Sequence, residues 1–156
     1  MKALTLLQPW ASLVAMGVKE FETRSWWTSH RGELAICASA STPRKVFQDA
    51  CRGSSIIRDA LGLEGYDQGE GGIALPSGAV LCTVDVEDCY EMSPDLCDEA
   101  SARVRETGVW APGRYAWKLV NVRRLVYPIP VKGFQRLWTL PEKVACAVRG
   151  SSFVSA

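Results

Sequence analysis

The chain opens with KALTLL, residues 2–7, a short run rich in apolar side chains that reads as a β-strand. QPWASLVAMG follows, with Pro9 set for a first helical turn and Gly17 set to end a short helix whose Trp10, Ala11, Leu13 and Val14 share one side. Beyond Gly17 the period changes. Residues 20–26 alternate, with Phe21, Thr23 and Ser25 on one face and Glu20, Glu22, Arg24 and Trp26 on the other, which predicts a strand. A turn through His30, Arg31 and Gly32 leads into GELAICAS, where Leu34, Ile36 and Ala38 alternate as the second strand of a hairpin would.

STPRKVF predicts a longer helix with Thr42 as N-cap and Pro43 in the first turn, broken near Arg52, Gly53 and Ser54 and resuming to Leu61. GLEGYDQGEGG, residues 62–72, reads as an acidic, glycine-rich loop, too irregular for a phosphate-binding glycine motif. GAVLCTVDVEDCYEM carries the strongest strand pattern, with Val80, Cys82, Val84 and Val86 on one face and Thr83, Asp85 and Glu87 on the other. SPDLCDEASARVRETG predicts one acidic helix capped by Ser93, with Pro94 at its first position and acids suited to the helix dipole. RYAWKLVNVRRLVYPIPVKGFQRLW predicts a long strand, a bend marked by Pro128 and Pro130 and a short final segment, and LPEKVACAVRG a closing helix. Strands separated by short helices, with no internal repeat and no linker, predict a single domain over residues 1–156. The expected fold class is α+β, a small, mainly antiparallel β-barrel flanked by helices.

Composition narrows the setting. With 156 residues and 47% hydrophobic side chains, the chain is long enough to bury one core. No apolar run approaches the roughly 18 residues of a membrane span, and no secretory leader is visible, so a cytoplasmic protein without a membrane partner is expected. The cysteines at 37, 51, 82, 89, 97 and 146 form no C-x-x-C pair, and His30 stands alone, so buried thiols are expected and neither a metal nor a cofactor.

The net charge of +1 hides a division. Residues 1–60 carry eight basic and five acidic groups, residues 61–113 two and eleven, and residues 114–156 eight and one. If the two basic thirds meet in the fold, they make a positive face suited to an anion such as phosphate; ordinary solvated charge is the plainer alternative.

The chemistry concentrates in GVKEFETRSWW, residues 17–27. Glu22 and Arg24, two apart on one strand face, are placed to pair, either closing the barrel or holding a ligand. Lys19 stands at the strand entrance with no evident in-strand partner and is a candidate ligand contact. Trp26 and Trp27 point to opposite sides of an extended chain, so one packs inward while the other faces cleft or solvent. Trp110, Trp117 and Trp138 read as structural.

Gly17, Lys19, Glu22 and Arg24 fill a G-x-K-x-x-E-x-R pattern directly after the QPWASL helix, and the chain thereby resembles ASCH domains. RGELAICAS, SGAVLCTVDVEDC and GRYAWKLVNVRRLVYPIPVKGFQRLW resemble the later strands of bacterial and phage ASCH proteins. The resemblance implies the small barrel of the PUA-like superfamily, with a cleft between the first helix and the barrel, and an association with RNA that in some branches extends to modified bases. It implies an RNA, nucleoside or nucleotide ligand met by Lys19 and Arg24, with Glu22 orienting Arg24 or accepting from a base. By position Trp26, following Arg24, and Trp10 at the helix start are candidate stacking faces, with core or rim packing the plainer reading, and Ser12 completes the expected ligand set. Some similar ASCH proteins are amidohydrolases that deacylate N4-acetylcytidine, with a threonine at the position of Glu22 and a lysine at that of Lys19. That alternative would make Lys19 and Glu22 catalytic here, with Thr23 expected on the wrong face and a third acidic group not placed. A ribonuclease using Lys19 with Ser12 or a tyrosine, and a protein-interaction domain, remain further alternatives.

Overall fold

The computed structural model describes residues 1–62 and 75–155. Six strands form one curled sheet, a half-barrel, in the order β2-β5-β4-β3-β1-β6, and β7 pairs with β5 off this path. The strands are β1 (Lys2–Leu6), β2 (Phe21–Arg24), β3 (Gly32–Ala38), β4 (Ala79–Glu91), β5 (Tyr115–Pro130), β6 (Leu137–Thr139) and β7 (Phe153–Ser155). The helices are α1 (Trp10–Ala15), α2 (Arg44–Gly53), α3 (Ser55–Ala60), α4 (Pro94–Glu99), α5 (Ala102–Glu106) and α6 (Glu142–Arg149). The α+β class and the mainly antiparallel, barrel-like sheet are as expected; β1 and β3, in parallel register from Lys2↔Leu34 to Leu6↔Ala38, are the exception.

The hairpin expected between β2 and β3 does not form. β2 pairs with β5, in register Phe21↔Lys118 to Arg24↔Tyr115, and β3 lies between β4 and β1. The reason lies in burial. All of residues 34–38 are buried, so β3 needs cover on both faces and partners on both edges. Its Leu34, Ile36 and Ala38 join the inner core with Leu4, Leu6, Val84 and Trp117, while Ala35 and Cys37 join a second cluster with Leu125, Ala145 and Val148, which α6 seals. A third cluster places Leu13 of α1 against Cys51 and Ile57 of the α2–α3 pair.

Local signals explain most of the remaining boundaries. The break at Ser54 is present, and its hydroxyl caps α3 by accepting from Ile57 N. Thr42 does not cap α2, which starts after Pro43; its Oγ1 instead accepts from Gln8 N at 2.9 Å and ties the entry of α1 to the loop before α2. The single acidic helix expected at 93–108 is two helices, because Ala100 is extended and Ser101 caps a fresh turn. β5 runs as one strand through both prolines to Pro130, which pairs with Ala79, so the bend expected at Pro128 and Pro130 is replaced by a register irregularity in which residues 125–128 lie opposite Leu81 alone of β4. Such irregularities bend strands and increase twist, which curls the sheet. The glycine-rich loop at 62–72 lies, apart from Gly62, outside the described residues.

Candidate functional site

Gly17, at φ 69°, takes the left-handed conformation that ends α1, and both Val18 N and Lys19 N donate back to Leu13 O. This turn sends the Lys19 side chain inward, not out to a cleft mouth. Lys19 is 2% exposed, and its Nζ donates to Thr107 O at 2.5 Å and lies 3.5 Å from Glu22 Oε2. Lys19 thus has partners that no strand pattern could show, one of them a carbonyl at the C-terminal end of α5, where a helix dipole favours a cation. Burial pushes the Lys19 pKa below its ordinary value, opposed by the Glu22 carboxylate beside it.

Glu22 is the centre of the group. Its other oxygen, Oε1, lies 2.8 Å from Arg24 Nε, an ion-pair contact whose N–H is not aligned for a hydrogen bond. Arg24 is 27% exposed, the most open of the three, and its guanidinium reaches across the mouth of the half-barrel to Thr5 O at 3.5 Å. The strand-face reading of Glu22 and Arg24 therefore holds, and the pair links one sheet edge to β1.

Two cavities adjoin at Arg24. The inner one, about 310 Å³, is walled by Trp10, Lys19, Glu22, Arg24, Glu106 and Gly108, among others. The outer one, about 620 Å³, is walled by Arg24, Trp26, Phe134 and Arg136, and both share Thr5, Leu6 and Leu7. Trp26 packs edge-on against Trp117 at 4.6 Å while Trp27 is 54% exposed, which realises the expected division of the tryptophan pair. Trp117 is fully buried, Trp138 Nε1 donates to Thr5 Oγ1, and Trp110 meets Phe21 edge-on, all structural contacts.

Of the residues expected at the site, Trp10, Lys19, Glu22, Arg24 and Trp26 line this two-chambered cleft. Ser12 does not: it is buried on the far side of α1, where it lines a separate cavity with Met16, Leu81 and Leu125. Thr23, expected to face away, lines the inner chamber at its α5 wall, yet its Oγ1 is engaged by Val109 N at 3.0 Å. The residues missed from sequence are Glu106, Thr107, Gly108 and Val109. They arrive from the acidic middle third, and the one local signal was a glycine directly after a helix. A Cβ on Gly108 would fall 2.9 Å from Thr23 Cγ2 and 3.3 Å from Lys19 Nζ, so the close approach of this loop requires glycine. Arg103 fastens the same loop from outside, donating to Val18 O and Gly17 O and facing Glu20 at 3.6 Å.

Among the described residues no cluster of His, Cys, Asp and Glu side chains is placed to hold a metal ion, and no helix is long and apolar enough to cross a membrane. All six cysteines are free thiols; burial pushes Cys37 up to about 12, and Cys82 upward as well.

The family model for the ASCH domain matches residues 4–129, a stretch that contains the whole first-helix and β2 wall of the cleft. The chain belongs to the ASCH domain family. Over 147 residues, 90% of its length, this ASCH chain is 31% identical to human activating signal cointegrator 1 and 30% identical to the mouse protein. It spans 22% of the length of those relatives. An ASCH protein from Zymomonas mobilis shares the fold at a TM-score of 0.57 and 13% identity, covering 97% of this chain and 95% of that one. A variant of the Zymomonas mobilis protein aligns similarly, at a TM-score of 0.55 and 14% identity, covering 97% and 98%.

Proposed function

We propose that this ASCH domain is a nucleic-acid-binding module that takes RNA, or a nucleotide or modified base of RNA type, into the cleft between α1 and the half-barrel. The observation that carries this reading is Arg24: a guanidinium held beside a buried carboxylate, partly open to solvent, on the wall shared by two chambers rimmed by indoles. Guanidinium groups suit phosphate oxygens and base edges because their N–H donors lie in a planar fork, and indole faces suit stacked bases. The family's association with RNA points the same way. A net charge of +1 suits a local contact with few phosphates, not the wrapping of a long polyanion. Free thiols throughout suit the reducing cytoplasm in which such a module would work.

Lys19 and Glu106 favour a second reading, an amidohydrolase acting on N4-acylated cytidine. Lys19 is a buried amine with a lowered pKa, and Glu106, whose Oε2 accepts from Ser54 Oγ, is an acidic side chain of the middle third on the inner chamber's wall. In that reaction water would add to the acyl carbon, giving its proton to a carboxylate, and the C–N bond would break as the leaving amine regains a proton. Against it, Glu22 stands where the similar enzymes carry threonine, and Lys19 Nζ is already committed to Thr107 O.

One ligand panel separates the two. Incubating the protein with short RNAs, nucleosides and N4-acetylcytidine should show RNA or nucleotide binding without acetate release. Acetate release that is lost in Lys19→Ala and Glu22→Gln would establish the hydrolase instead, and neither binding nor release would leave a protein-interaction domain.

A further inference from the structure

The two chambers differ in charge. The inner one sets Glu22 and Glu106 beside Lys19 and Arg24, whereas the charged side chains on the outer wall are Arg24 and Arg136, both cations. That wall is built from the two basic thirds of the chain, from Thr5 to Ser39 and from Gly133 to Arg136. The loop at 132–136 is firmly seated on β1. A Cβ on Gly133 would fall 2.5 Å from Thr5 Oγ1, so backbone presses directly on that side chain, and Thr5 Oγ1 is itself held by Trp138 Nε1 at 3.1 Å. Phe134 rests edge-on against Trp138 at 5.2 Å yet remains 54% exposed. Arg136 adopts φ 59°, a left-handed conformation unfavourable for a side chain of its kind, and its Cζ lies 5.8 Å from the Trp26 ring centroid. Backbone strain is thus tolerated where it points a guanidinium at an indole beside a cavity.

We propose that the outer chamber is a second nucleotide subsite, in which Arg24 and Arg136 hold the phosphate that follows the nucleotide in the inner chamber and Phe134 stacks the neighbouring base. The proposal rests on the reading of the cleft as an RNA site and narrows the ligand to a strand of at least two nucleotides. At about 310 Å³ the inner chamber matches one small-molecule ligand, so a continuing strand must leave it past Arg24, the charged side chain common to both walls. A cation–π contact at 5.8 Å does not use up guanidinium N–H groups, so Arg136 can stay over Trp26 and still donate to phosphate. An aromatic ring on a fixed base, open on one side, offers stacking that tolerates any base.

The test uses the full chain and titrates the common ribonucleosides, their homodinucleotides, an eight-nucleotide RNA and inorganic phosphate. At least one dinucleotide should bind about tenfold more tightly than its nucleoside. Arg136→Ala and Phe134→Ala should remove that advantage while leaving nucleoside affinity unchanged within about twofold, and Phe134→Tyr should retain it. Both positions are exposed, and circular dichroism of each variant confirms the fold. Equal affinity for nucleoside and dinucleotide, equal weakening of both by Arg136→Ala, or competition by inorganic phosphate as effective as that of a dinucleotide would each overturn the second subsite while leaving the inner site standing. Failure of every nucleoside and RNA to bind would instead remove the RNA reading of the cleft, and the subsite with it.

Discussion

Lys19, Glu22 and Arg24 are 2%, 8% and 27% exposed at their side chains, and this gradient assigns them different work. Glu22 compensates two cations, and removing one member of a buried ionic group leaves an uncompensated charge that costs about 3 to 5 kcal/mol. Glu22→Ala should therefore destabilise the fold by about that amount at neutral pH, while Lys19→Met combined with Glu22→Gln should recover most of it. Denaturant titration reads both, and an innocuous Glu22→Ala would mean that the group is hydrated. The same site gives a pH signature. Because burial lowers the Lys19 pKa, the folded state sheds this proton before the unfolded chain does. Stability due to Lys19 therefore rises with pH between its folded pKa and its ordinary 10.5. The stability of the native sequence relative to Lys19→Met should grow over that window; a flat difference would count against burial of the ammonium.

At the scale of elements, the site depends on how closely the loop after α5 meets the turn after α1. Gly108→Ala puts a methyl against Thr23 and Lys19, contacts under 3.4 Å that the neighbours must yield to. Overpacking of this kind costs about 1 to 3 kcal/mol and should be visible as a lower denaturation midpoint, with Thr23→Ser partly rescuing it. An unchanged midpoint would show that the loop moves freely. This meeting of elements was also the limit of what the sequence could disclose. The alternation at 20–26 placed Glu22 and Arg24 on one face and separated Trp26 from Trp27, because strand periodicity is local. It could not reveal that the chain at 104–109 folds over Lys19, since that contact joins positions 88 residues apart. The same limit explains Ser12, expected at the site with no helix face assigned to it: the packing of Leu13 on Cys51 and Ile57 fixes the orientation of α1 and leaves Ser12 on a separate cavity. β3 was misassigned to a hairpin because Ala35 and Cys37, small residues, hid the burial of its second face.

For the whole molecule, the basic first and last thirds do meet: β1 pairs with β6, and the loop at 132–136 faces Arg24 across the outer chamber. The acidic middle third supplies one side of the inner chamber, through Glu106, Gly108 and Val109, and balances the basic ends to a net charge of +1. The proposed binding would be local and salt-sensitive, and the charged side chain common to both chambers is Arg24. The most direct test is fluorescence anisotropy of a short single-stranded RNA with the native sequence and Arg24→Ala, across a salt series. The native sequence should bind with a slope of log affinity against log salt of about −1.4 to −2.1, as expected for two or three phosphate contacts on a single strand. Arg24→Ala, folded by circular dichroism, should weaken binding about tenfold or more and flatten that slope. RNA affinity and salt slope unchanged in Arg24→Ala would contradict the account.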